Sequence, residues 1–177
     1  MSTQELAAAL QRVEKVLRRR PETGLHDDAP AAARWVGGTR VVASHVNGTQ
    51  ISSDMPGELG GSGDQVTPGW LFRAGLASCS ATSIAMAAAA EGIALTALEV
   101  RATSRSDTRG LLGMVDAEGE PVQAGPRDVQ LAVRISAPGV TPERLRTMVE
   151  NGLCHSPIPN AVQSATPFAL HIDVDVD

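Results

Sequence analysis

Tyrosine is absent from this chain of 177 residues, and the only aromatics are two tryptophans and two phenylalanines. Proteins that grip single-stranded nucleic acid need stacking rings above a basic groove. Neither is visible here: 20 acidic residues outnumber 15 basic ones, and the formal net charge is −5. Nucleic acid is therefore not an expected partner. Charge-free runs are short as well. With histidine also counted as an interruption, the longest spans residues 74–90, is mostly alanine with Ser78, Ser80, Thr82 and Ser83, and sits at the short limit for a bilayer span. It reads as a buried helix of a soluble protein, with no membrane partner. The first twenty residues lack an apolar core and carry Glu5 and Glu14, unlike a signal peptide. A cytoplasmic location is the expectation. Cysteine is scarce too, with only Cys79 and Cys154. In the cytosol such a pair is reduced or catalytic more often than a structural staple. Histidines are scattered singly at 26, 45, 155 and 171, and only His155 adjoins a cysteine. Without Cys-x-x-Cys or His-x-x-x-His spacing, no metal site is expected.

Against those absences, the pattern of elements is readable. Leu6, Leu10, Val13 and Leu17 share one face of an amphipathic helix over residues 3–20, closed by Arg18, Arg19 and Arg20 and stopped by Pro21. A Pro-, Asp- and Ala-rich linker runs to about residue 33. Two strands are expected near 34–46 and 49–55, joined by the hairpin signal Asn47-Gly48. The glycine-rich loop at 56–64 lacks the Lys-Ser/Thr pair of a phosphate cradle and reads as a connection. Thr67 and Pro68 are N-cap and first residue of a long helix that ends near Glu91 and Gly92. Strands are expected at 98–102, 111–115 and 129–135, with a turn at Glu118-Gly119. Thr141-Pro142 opens another helix with Leu145, Met148 and Val149 facing inward. The chain closes on a strand with Phe168, Leu170, Ile172, Val174 and Val176 on one face. His171, Asp173, Asp175 and Asp177 take the other face, where charge discourages edge pairing.

This order of strands, helix, strands, helix, strand favours an α+β fold over a doubly wound sheet. Residues 1–33 form an N-terminal helix and linker, and 34–177 a single domain. The helix from Pro68 is small or apolar nearly all round, so it must be covered on most sides. One two-layer domain of this size covers it poorly, and a homodimer sharing the helix is expected.

The chemistry centres on Cys79. A free thiol titrates near about 8.5, so only a small fraction is thiolate at neutral pH. Cys79 lies about three turns into its helix, beyond useful reach of the N-terminal dipole. An arginine within about 4–6 Å would favour the thiolate. The alternative is a small core filler, because free cysteine is among the most buried residue types. Both readings stand on the residues alone. Ser78, Ser80 and Ser83 lack a nucleophile-elbow context. Arg73 lies about 600° round the helix and about 9 Å along it from Cys79, which suits a rim charge better than an activator.

The segment TPGWLFRAGLASCSATSIAMAAAAEGIALTALEVRATS resembles the heart of the OsmC/Ohr family, the osmotically inducible proteins C and organic hydroperoxide resistance proteins. The helix-borne Ala-Ser-Cys, the Gly-Ile-x-Leu, the Leu-Glu-Val strand, Glu58-Leu59-Gly60-Gly61 upstream and Ser156-Pro157-Ile158 downstream carry the resemblance. It covers about residues 34–177 and implies an intertwined α+β homodimer. It also implies a thiol peroxidase, or on the same scaffold a hydrophobic-ligand-binding or redox-sensing protein with little turnover. In the peroxidase reading Cys79 is the peroxidatic nucleophile and Arg40 the activating cation, with Arg34 as the alternative. Organic hydroperoxides are the substrate, an external dithiol of lipoyl or similar type the reductant, and no cofactor is required. Leu71, Phe72 and Leu76 would line an apolar substrate pocket.

Two positions depart from the family pattern. The glutamate that orients the arginine lies ten positions before the peroxidatic cysteine, where this chain has Gly69. Glu58 and Asp64 on the loop are the replacements at hand. The resolving cysteine directly precedes a proline in the family. Here Ser156 precedes Pro157, and Cys154 lies two residues earlier. Two extended residues span roughly 7 Å, more than the ~4.4–6.8 Å Cα separation a disulfide tolerates. Cys154 is then either a shifted resolving thiol or an unrelated buried one.

Overall fold

The computed structural model describes residues 2–175. Helix α1 (Thr3–Arg19) starts where Ser2 and Glu5 cap each other reciprocally, and ends before Pro21. A 3-10 turn at Pro21–Gly24 leads into an irregular linker. Strands β1 (Ala32–Gly37), β2 (Arg40–Ser44) and β3 (Gln50–Ser53) form an antiparallel sheet in that order. The single strand expected over 34–46 is thus two. Gly37 and Gly38 have φ values of 134° and 55°, and the Trp35 indole N–H donates to the Gly38 carbonyl at 2.9 Å. That backbone suits glycine and turns the chain back on itself. The hairpin at Asn47-Gly48 forms as its sequence requires, with His45 N–H donating to the Thr49 carbonyl.

Helix α2 (Pro68–Ala90) begins at Thr67, whose hydroxyl accepts from the Trp70 N–H. It closes on Gly92 at φ 68°. There Gly92 N–H reaches the Ala89 carbonyl and Ile93 N–H the Ala88 carbonyl, the 6→1 and 5→2 bonds of a Schellman ending. Ile93 then folds under the helix end and is buried with Ala88. By length and composition α2 could cross a membrane, with mean hydropathy 1.2 over an 18-residue window. It packs instead against α1, β4, α4 and α5.

Strands β4 (Ala97–Arg105) and β5 (Arg127–Ser136) make a two-stranded antiparallel sheet with strict alternation of burial. The stretch 111–115, expected as a strand, is otherwise. Asp107 caps a short helix α3 (Thr108–Leu111), and Gly113 follows at φ 66°. The Asp107 carboxylate takes the backbone N–H and guanidinium of Arg109, a local bond set that outcompetes strand pairing. Only one bridge remains, between Val115 and Pro121, around the turn at Glu118-Gly119.

Helix α4 (Pro142–Cys154) is capped by Thr141 and lays Leu145, Met148 and Gly152 on α2. Ser156 then caps α5 (Pro157–Gln163), a helix not anticipated although Ser-Pro is a helix-start signal. The core lies between α2, α4 and the β4–β5 sheet. Ile84, Ala88, Ile93, Leu145 and Met148 form it, with Leu98, Val100, Val133 and Ile135 alongside. Contact between the two helices is tight at one point. A Cβ on Gly152 would lie 3.1 Å from the Ile84 Cα and 3.3 Å from the Ser83 carbonyl oxygen.

The closing strand expected from Phe168 onward is unpaired among the described residues. Phe168, Leu170, Ile172 and Val174 are exposed by 72–90%. Val176 and Asp177 lie outside the described residues. Among the described residues no sheet edge pairs with the segment, so its alternation has nothing there to bury against.

Candidate active site

Cys79 lies near the middle of α2, half-buried, on the face that carries Gly75 one turn earlier. That face meets the start of α5. A Cβ on Gly75 would make ordinary contact with the Ile158 Cδ1 at 3.7 Å, which shows how closely this face lies against the start of α5. The Cys79 Sγ sits 3.3 Å from the Ser156 Oγ and accepts the Ile158 N–H at 3.4 Å. Ser156 is fully buried, and among the described residues its hydroxyl bonds nothing but this sulfur. The sulfur therefore meets one backbone donor and one hydroxyl that can donate or accept, in a residue that is half-buried.

Cys154 is placed differently. It is free and exposed at the last residue of α4, while its carbonyl accepts from the Asn160 Nδ2 at 3.0 Å. The second position on that segment to meet α2 is Ser156, two residues further on.

Arg40 opens β2 at the exit of the first hairpin. Its guanidinium reaches Asp64 Oδ1 at 2.5 Å, Ser62 Oγ at 2.6 Å and Asp54 Oδ2 at 3.4 Å. Asp54 is buried and is the hub of this cluster. It accepts from Thr39 Oγ1, the backbone N–H groups of Met55 and Ser62, and the Ser62 hydroxyl. Those hydrogen bonds, from Thr39 first and then Ser62, hold its carboxyl far below the usual range. The Ser62 hydroxyl and Arg40 likewise hold Asp64 down, and Asp64 raises Arg40 further. The hydrogen-bond partners of Cys79 do not include Arg40, and Arg34 stands on the exposed strand β1. Of the loop carboxylates weighed as replacements for the missing glutamate, Asp64 does pair with Arg40.

The same cluster folds the connecting loop. Gly61 and Gly63 N–H groups bond the Pro56 and Met55 carbonyls. A Cβ on Gly61 would sit 1.7 Å from the Met55 oxygen, so only glycine fits this crossing. The stitched loop forms one wall of an apolar cavity of about 480 Å³, lined by Met55, Leu59, Phe72, Leu111 and Pro126. Of Leu71, Phe72 and Leu76, expected around a substrate, Phe72 lines this cavity. Leu71 is half-buried outside this lining, and Leu76 is packed in the interior. Arg73 shares the cavity and donates to the Ser104 hydroxyl at 3.3 Å; a Cβ on Gly69 would lie 3.7 Å from its Nη1.

In the sequence, Ser156 stood out as part of Ser156-Pro157-Ile158 and as a departure before Pro157, and neither pointed to its contact with the sulfur or to the Ile158 N–H. The signal was Ser-Pro at the head of a short helix, which places a backbone donor and a hydroxyl together. No group of three or more His, Cys, Asp or Glu side chains suited to a metal occurs among the described residues.

The comparisons agree with this architecture. Residues 61–171 match the family model described as OsmC-like protein. Among solved structures, an OsmC-like protein from Mycoplasma pneumoniae superposes with a TM-score of 0.65 at 18% identity, over 80% of this chain and 92% of that one. A putative organic hydroperoxide resistance protein from Vibrio cholerae gives 0.54 at 24%, over 80% and 89%. The organic hydroperoxide resistance protein OhrB of Bacillus subtilis gives 0.51 at 17%, over 78% and 93%. No curated protein matches the chain. At these identities the structural likeness establishes the fold.

Proposed function

Because the chain belongs to the family of OsmC-like proteins, we propose that it is a thiol-dependent peroxidase whose Cys79 reduces organic hydroperoxides in oxidative-stress defence. The setting of the Cys79 sulfur carries this reading: a buried hydroxyl and a backbone N–H converge on it, and the residue is half-buried rather than sealed in the core. A core filler needs neither contact. In the reaction the Cys79 thiolate attacks one peroxide oxygen. An S–O bond forms as the O–O bond breaks, the sulfur gives up two electrons, and the alkoxide takes a proton to leave as an alcohol. Cys79 becomes a sulfenic acid. The sulfur itself carries both electrons, so the chemistry requires no metal, flavin or haem, and an external thiol completes the cycle. The apolar cavity at Phe72 suits the organic part of a hydroperoxide.

The test is steady-state consumption of cumene hydroperoxide with a dithiol. Fast consumption that falls to the background of free thiol in Cys79→Ser is the expected result. Consumption unchanged by that substitution overturns the proposal.

A second reading is a hydrophobic-ligand-binding or redox-sensing protein on the same scaffold. Arg40 favours it, because its guanidinium is bonded to Asp54, Ser62 and Asp64 rather than to the sulfur, and position 69 offers no carboxylate. The same assay separates the two, since this reading predicts little turnover even in the parent chain.

A homodimer belongs to both readings. Trp70, Ser78, Thr82 and Met86 form an exposed, uncharged stripe along α2, and the apolar tail from Phe168 lacks a partner. A second copy would cover both, and the stripe passes directly beside Cys79.

A further inference from the structure

Oxidation of Cys79 to a sulfenic acid raises the question of what removes the oxygen, and the side chain facing the sulfur is a serine. We propose that the sulfenic acid is resolved between molecules. An external small-molecule thiol condenses with Cys79 to a mixed disulfide, and Ser156 holds the reacting sulfur where a second cysteine would otherwise close an internal bridge. The inference rests on the peroxidase reading of Cys79 and concerns how that cycle closes.

Three observations support it. First, Ser156 has no solvent exposure, and its hydroxyl is committed to the Cys79 sulfur at 3.3 Å. Second, Cys154 points elsewhere. Gly152 is the point of closest approach of α4 to α2, with a hypothetical Cβ 3.1 Å from Ile84. Successive helical residues turn by about 100°, so Cys154 lies about 200° round from that contact. Its exposure agrees with this direction. Third, the segment between them is cross-tied. The Asn160 side chain donates to the Cys154 carbonyl at 3.0 Å and the Ser156 carbonyl at 2.9 Å, and the Asn160 N–H also reaches the Ser156 carbonyl. Pro157 and Pro159 stiffen the same stretch. Bringing Cys154 to the position of Ser156 would unwind the end of α4 and break these bonds.

The chemistry balances without a second protein thiol. The external thiolate attacks the sulfenic sulfur. An S–S bond forms, the S–O bond breaks, and hydroxide leaves with a proton as water. A second external thiol attacks the mixed disulfide through its own sulfur, releasing the external disulfide and restoring the Cys79 thiol. Each turn consumes one peroxide and two thiols and yields an alcohol, water and a disulfide. Cys79 is half-buried rather than fully buried, so an incoming thiol meets a residue that keeps part of its exposure.

The test uses the full-length protein, one equivalent of cumene hydroperoxide, and intact-mass and peptide analysis without reductant. The expected product carries one added oxygen at Cys79, trapped by dimedone, with no loss of two hydrogens. Adding 2-mercaptoethanol should place one thiol adduct on Cys79. Cys154→Ser should keep its turnover with 2-mercaptoethanol within about twofold of the parent chain. Ser156→Cys should switch the chemistry, giving an internal Cys79 disulfide that takes up no monothiol. A Cys79–Cys154 disulfide in the parent chain, or a Ser156→Cys chain that oxidises without bridging, overturns the inference while leaving the peroxidase reading intact. No oxidation of Cys79 at all overturns the peroxidase reading, and the inference with it.

Discussion

At the scale of single residues, the hydroxyl of Ser156 has two separable consequences. It donates to, or accepts from, the Cys79 sulfur, and it is too buried to be replaced by water without rearrangement. A hydrogen bond to a charged group is worth roughly 1.5–3 kcal/mol, so Ser156→Ala is expected to slow peroxide reduction by at least about tenfold. Stopped-flow oxidation by cumene hydroperoxide, compared between the parent chain and Ser156→Ala, checks the rate. Asp54 makes a different prediction. Its carboxyl is depressed in the folded chain, so above the unfolded value near about 4 both states are ionised and its contribution to stability is fully present. As pH falls below about 4, the unfolded state takes up the proton first, and the contribution is lost as pH drops through the folded value. Asp54→Asn should therefore lower Tm at neutral pH, and the deficit should shrink in acid. A deficit independent of pH would show that the carboxylate charge is not what holds the cluster. Cys79 was legible in the sequence because a cysteine in an uncharged helix with Ala-Ser before it is a local pattern. Ser156 was not, since its meaning comes from α5 folding back onto α2, a contact between positions 77 residues apart.

Among the elements, those bounded by chemistry of their own were the readable ones. Thr67-Pro68 and Glu91-Gly92 delimit α2, Thr141-Pro142 opens α4, and Asn47-Gly48 closes its hairpin, because caps and turns are written in a few adjacent residues. Where local bonds compete, alternation misled: Asp107 and Arg109 turn an apparent strand into α3. The loop at 56–64 read as a connection, yet it is stitched by its own backbone and by Asp54. Gly61→Ala should show this directly. With the Met55 oxygen 1.7 Å from the new Cβ, the loop must open and its wall of the apolar cavity must move. Faster limited proteolysis at residues 55–64 is the expected readout, and an unchanged cleavage rate would mean the crossing is not tight. In the core, Met148→Ala should cost about 2–5 kcal/mol in a denaturant titration, since the side chain is 1% exposed between α4 and α2.

For the whole molecule, the most conspicuous surface is the one that a lone chain leaves uncovered. Phe168, Leu170, Ile172 and Val174 alternate as a strand would, but among the described residues no edge receives them. A sequence records which residues want burial and not whose surface buries them, which is why the last strand was the part of the fold least reliably placed. Removing residues 166–177 should convert a homodimer to monomer in light scattering and expose the α2 stripe. A parent chain that is monomeric at micromolar concentration would remove the dimer from the proposal.

Gly152 ties these scales together. By letting α4 lie directly on α2, it fixes the separation between the helix that carries Cys79 near its middle and the helix after whose end Ser156 follows. A bulky side chain there, such as Gly152→Leu, would act as a wedge. Ser156 would withdraw from the sulfur and water and peroxide would enter the gap. The variant should then be recognised by its chemical fate as much as by its Tm: repeated peroxide exposure should carry Cys79 past the sulfenic stage to the irreversible sulfinic acid, which peptide mass mapping detects. One missing side chain, remote from the sulfur in sequence, would in this way set how many oxidation cycles the protein survives.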